Sequence, residues 1–157
     1  MTSARLIKAV AIYAGLLVCA ATFLNLFSED PHARAKVLMG FGLVVVWCLG
    51  FGLVSYFGRE RFRAACRAMS GPWQVKFVVV AIALAMLEEM VTTGLTNAAP
   101  WLGSHTGEAM ITASTNYFEV VFLHRVWPVF VPWIIGWMLL LWRYAFPPNH
   151  VLLLFGV

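Results

Sequence analysis

The stretch VKFVVVAIALAMLEEMVTTGLTN, residues 75–97, decides the fold. It carries no charge between Lys76 and Glu88 and is long enough to cross a bilayer, which takes about 20 apolar residues. Yet it holds two adjacent carboxylates, Glu88 and Glu89, followed by a ladder of threonines that ends at Asn97. On a helix, Glu89, Thr92, Thr93, Thr96 and Asn97 fall at i, i+3, i+4, i+7 and i+8, one face over two turns. Glu88 is rotated about 100° from that face. A charge at mid-membrane costs about 2.5–3.5 kcal/mol. The pair therefore either performs a task there or lies near water, and side by side the two carboxylates are expected to hold at least one proton between them.

Outward from this stretch, the composition agrees with a membrane setting. The chain has 157 residues, 62% hydrophobic and 11% charged, with mean hydropathy +0.83. Soluble domains run about 45–50% apolar and about 25% charged. The net charge of +4 then reports topology, and no basic–aromatic module points to nucleic acid. Cys19, Cys48 and Cys66 form no CxxC pair and read as small packing residues.

The patterning predicts one all-α domain over 1–157, a polytopic membrane bundle of four spans. These are 9–27, 37–57, 75–97 and 126–142, with kinks at Pro128 and Pro132. Arg5 and Lys8 precede the first span, which reads as a retained anchor rather than a cleaved signal. VLLLFGV, residues 151–157, reads as the start of a fifth span. Between the second and third spans, Arg59, Arg63 and Arg67 share one face and Phe62, Cys66 and Met69 form an apolar stripe, which predicts an interfacial helix over 59–70, closed by Gly71–Pro72. Those arginines are expected to mark the cytoplasmic side and contact lipid headgroups. With no Lys or Arg in the loop after Asn97, that loop is expected outside and the N-terminus in the cytoplasm. Trp101, Trp127, Trp133 and Trp142 suit interface belts.

Residues 109–124 are too short to span comfortably and predict an external re-entrant or surface helix. The alternative is one long bent helix from about Thr112 to Tyr144. Within 109–124, Thr112, Thr115, Asn116 and Glu119 again share helical spacing, and His124 follows off that face. Folded back on the third span, this cluster would meet the Glu89 stripe.

EEMVTT, residues 88–93, resembles the first motif, EExxxR, of the CAAX-prenyl-protease and bacteriocin-processing family. Thr93 stands where that family has arginine. FPPNH, residues 146–150, fits the family's FxxxH only in form, because Pro147 and Pro148 bar it from a helix interior. The resemblance covers two residues and carries no function to this chain.

Three functional expectations follow from the residues themselves. The first is a membrane-embedded enzyme with an externally open site acting on a lipid or membrane peptide. Glu88, Glu89, Glu119 and His124 would be its catalytic groups, and Thr92, Thr93, Thr96, Asn97 and Asn116 would orient substrate. Carboxylates with a histidine suit acid–base chemistry, or a divalent metal at Glu88 and Glu89. The second is a non-catalytic subunit of a larger membrane complex, in which polar residues bond partner helices. The third is a proton or cation pathway component. Structural readings stand beside these: Glu88 and Glu89 pairing with Arg125, and threonines bonding their own backbone.

Overall fold

A computed structural model describes residues 3–154, with side chains through Val151. Among the described residues the chain is helical, with no strand. Helix α1 spans Ser3–Leu26, α2 Pro31–Ala68, α3 Trp73–Asn97, α4 Tyr117–Arg143 and α5 Pro148–Leu154. Three of them, α1, α2 and α4, are long and apolar enough to cross a membrane. They suggest an integral membrane protein. Most of the final stretch expected to begin a fifth span lies outside the described side chains.

The second predicted span and the predicted interfacial helix are a single element. Asp30 caps α2 by accepting from the His32 amide, and Pro31 opens its first turn, where a missing N–H costs nothing. No strong breaker follows until Met69, so the helix continues through 58–68. At 38 residues it is about 57 Å long, well beyond a hydrocarbon core of about 30 Å. Its arginine-bearing end projects past the apolar part. Between Val44 and Phe51 the winding loosens to π-helix, and Trp47 stacks on Phe51 with ring centroids 4.5 Å apart. Gly71, at φ 97°, makes the turn into α3.

The predicted external helix over 109–124 does not form as a unit. Residues 103–116 are irregular, and α4 begins at Tyr117. The physical reason is local competition for the backbone. Thr112 Oγ1 donates to the Ser114 carbonyl, Ser114 Oγ accepts from the Asn116 amide, and Asn116 Oδ1 caps the Phe118 amide. Ser, Thr and Asn offer these alternatives to helical bonding. The helix carrying residues 126–142 begins earlier than predicted: α4 runs through 117–143, as the long-helix alternative anticipated, though from Tyr117 rather than Thr112. It bends at Arg125, whose φ of −126° and ψ of −63° leave the helical region. Pro128 lacks the N–H that would reach back into the preceding turn, and π-turns flank the bend at 120–124 and 126–130.

Helix α3 packs on α2 and α4, and α1 packs on α2 and α5. The packed core lies at the loop end. There Ala35 and Met39 of α2 meet Ala99 and Ala109, with Leu95, Leu102 and Ile111 against them. Small residues permit this approach: a Cβ on Gly42 would stand 3.2 Å from Leu95 Cδ2. Helix α1 buries no residue. Cys19 and Cys48 lie exposed on outward faces and Cys66 half-exposed, so the expected interior packing role is not theirs.

Candidate functional site

The polar stripe on α3 lies buried inside the chain rather than lining an externally open site. Glu89, Thr92, Thr93 and Thr96 are all buried, and only Asn97, at the helix end, is exposed. Glu89 is 0% exposed. It lies about 12 Å below the loop end of α3, eight residues from Asn97 at 1.5 Å each.

Glu89 is fully engaged inside the chain. Its Oε1 accepts from Arg125 Nη1 at 3.1 Å, and its Oε2 accepts from Thr92 Oγ1 at 2.8 Å. Arg125 reaches it because the bend in α4 turns that residue toward α3. One turn away, Tyr117 OH donates to the Met86 carbonyl at 3.1 Å. Two contacts thus fasten the first half of α4 to α3.

The remaining threonines and Asn97 hold the loop. Thr96 Oγ1 accepts from the Ile111 amide at 3.3 Å and lies 3.0 Å from Thr112 Oγ1. A carbonyl can only accept, so Thr112 gives its proton to Ser114 O at 2.8 Å. Thr96 then supplies the proton of the hydroxyl pair. Asn97 Nδ2 donates to the Thr115 carbonyl at 3.0 Å. Thr93 Oγ1 is buried with no hydrogen-bond partner among the described residues. Toward α2, His32 Nδ1 lies 2.7 Å from Ser104 Oγ and 3.6 Å from the Glu108 carboxylate.

Among the described residues no hydrogen bond or ion pair joins Glu119 or His124 to Glu88 or Glu89. Glu119 is exposed and accepts from Ser114 Oγ at 2.7 Å, and Asn116 is an N-cap. His124 is exposed and makes no hydrogen bond or ion pair among the described residues. Without a helix over 103–116, Thr112 and the Thr115 carbonyl still meet Thr96 and Asn97 of α3, while Asn116 and Glu119 take local contacts. Among the described residues no three His, Cys, Asp or Glu side chains converge as metal ligands.

Glu88 differs from its neighbour in every respect. It is half-buried and forms no hydrogen bond or ion pair among the described residues. It lines an open cavity of about 270 Å³ whose walls are Trp47 of α2 and Phe130, Trp133 and Trp137 of α4. Sequence reading assigned Trp133 to an interface belt and passed over the other three aromatics. The available signal was the i, i+3, i+7 spacing of Phe130, Trp133 and Trp137, which places them on one helical face.

At the opposite end, Arg59, Arg63 and Arg67 lie on the exposed last turns of α2. Glu60 pairs with Arg59 at 3.6 Å and Arg63 at 3.3 Å, and Arg59 covers the Tyr56 ring. Arg59, Arg61 and Arg63 border an apolar groove of about 760 Å³ between α2 and Leu84 of α3.

No protein-family model, curated protein or solved structure matches the chain.

Proposed function

We propose that the chain is a non-catalytic membrane component in which Glu89 is structural and Glu88 is the carboxylate left to engage a cationic group from outside the chain. The observation that carries this reading is the contrast between two adjacent glutamates. Glu89 is buried and bonded to Arg125 and Thr92, while Glu88 is unpaired and lines a cavity. A base held in a buried ion pair has no access to a substrate, and neither Glu119 nor His124 bonds to it among the described residues, which favours the structural reading over the enzymatic one. A through-membrane proton file finds no support either, because residues 77–87 of α3 are wholly apolar.

In this reading α3 is a fourth span alongside α1, α2 and α4. Five basic residues (Arg59, Arg61, Arg63, Arg67 and Lys76) lie in 58–76, against none in 98–124. The positive-inside rule therefore puts the arginine end and the N-terminus in the cytoplasm, with the loop end outside. The arginines there suit anionic headgroups.

Carbodiimide labelling tests the division between the glutamates. A membrane-permeant carbodiimide on the intact protein, followed by peptide mass spectrometry, should modify Glu88 and spare Glu89. Modification of Glu89, or of both equally, would overturn the proposal.

A further inference from the structure

We infer that the Glu88 cavity binds a compact lipophilic monovalent cation, of the quaternary-ammonium class, with its charge between the Glu88 carboxylate and the faces of Trp47, Trp133 and Phe130. This rests on the assignment of Glu88 as the unengaged carboxylate and adds the chemistry of what it engages.

Three helices build the cavity. Ala81, Leu84, Ala85 and Glu88 lie at i, i+3, i+4 and i+7 on α3, so one face offers two small residues beside Leu84 and then a carboxylate. The alanines make the room. Phe130, Trp133 and Trp137 follow the same spacing on α4, with Phe130–Trp133 and Trp133–Trp137 centroids 6.5 Å and 6.4 Å apart. Trp47 closes the third side from the π-wound part of α2, stacked parallel on Phe51. Aromatic faces carry negative quadrupole density, and several around one space form the cage that recognises quaternary ammonium groups.

Charge selects the same ligand. The charged groups bearing on Glu88 are Glu89 and Arg125. Two carboxylates against one guanidinium leave one negative charge over when both are ionised, and Arg125 is already bonded to Glu89. A strongly hydrated small ion would lose its water shell against aromatic walls that cannot replace it. An alkylated ammonium has apolar surface to bury and a diffuse charge. The cavity, at about 270 Å³, sits near the lower end of small-molecule sites, which restricts the ligand to compact cations. Such a group can belong to a free cation or to a choline headgroup.

The test is binding to the full-length protein, in detergent micelles without choline headgroups, read by tryptophan fluorescence and calorimetry. The probes are benzyltrimethylammonium and its uncharged isostere neopentylbenzene. Saturable binding of the cation, with at least tenfold weaker binding of the isostere, is expected. Glu88→Gln should weaken the cation at least tenfold and leave the isostere unchanged, while Glu60→Gln at the far end changes neither. Trp133→Leu, which keeps the carboxylate, should cost roughly 2- to 30-fold and decides the matter if Glu88→Gln does not fold. Repeating the titration in phosphatidylcholine micelles distinguishes the sources: competition there identifies a headgroup as the natural ligand, and its absence a free cation. No binding to the parent protein would overturn the inference, as would equal binding of the isostere or undiminished binding to both variants. Should labelling still fall on Glu88 alone in that case, the division between the glutamates stands and only the ligand assignment fails.

Discussion

At the loop end, α2, α3 and the 98–116 segment bury Ala35, Met39, Ala99 and Ala109; Thr96 and Asn97 hold that segment to α3, and Tyr117 and Arg125 tie α4 to α3. At the arginine end, α2 and α3 leave the Gly71 turn and hardly meet, and no residue from 40 to 88 is buried. The difference shows where the chain makes its own order. In a bilayer, apolar surfaces gain little by leaving lipid for one another, so hydrogen bonds and close small-residue packing hold helices together. The loop end has both. Among the described residues, α2 and α3 share neither at the arginine end.

The largest effect is expected where this contrast rests on a buried charge. Arg125→Gln leaves the Glu89 carboxylate at 0% exposure with Thr92 as its remaining partner. Removing one member of a buried pair costs about 3–5 kcal/mol. Thermal unfolding in detergent should show the loss, and a midpoint equal to the parent's would mean that Glu89 does not hold α4. A smaller effect is expected at Thr96→Val, which keeps the shape but removes the acceptor for the Ile111 amide and the partner of Thr112. Leaving buried polar groups unsatisfied costs about 1–3 kcal/mol, and limited proteolysis within 103–116 should quicken. Unchanged cleavage would show that the segment is held by its apolar contacts alone. The smallest effect belongs to the arginine end. Glu60→Gln removes exposed pairs with Arg59 and Arg63, worth about 0–1 kcal/mol, and the unfolding midpoint should barely move. A loss as large as that of Arg125→Gln would erase the contrast between the ends.

The sequence made some of this legible and concealed the rest for physical reasons. The shared polar face of α3 follows from spacing along a single helix, but that Glu89, Thr92, Thr93 and Thr96 are buried depends on the packing of other elements over it. Arg125 could be named as a partner, but choosing Glu89 over Glu88 depends on the bend at Arg125, which is set by Pro128 and by packing. The 109–124 helix was misread because Thr112, Thr115, Asn116 and Glu119 fall at helical spacing. The same residue types bond their neighbours in turns, and periodicity does not distinguish the two. Of the Glu88 cavity only the shared face of Phe130, Trp133 and Trp137 was legible, since Trp47 lies 41 positions from Glu88 and 86 from Trp133 along the chain and only the packing of three helices joins them.

The central claim is that adjacent glutamates divide their roles, and one pair of variants tests it most directly. Glu88→Gln and Glu89→Gln remove the same charge from neighbouring positions on one helix. Thermal unfolding of both, side by side in the same detergent, should separate them. Glu89→Gln loses its charged bond to Arg125; that arginine, 42% exposed, reaches solvent, so the cost is about 1–3 kcal/mol and the midpoint falls. Glu88→Gln has no internal partner to lose, and a neutral amide is less costly to desolvate than a carboxylate, so its midpoint should hold or rise. Equal destabilisation of the two, or a stable Glu89→Gln beside an unstable Glu88→Gln, would contradict the account.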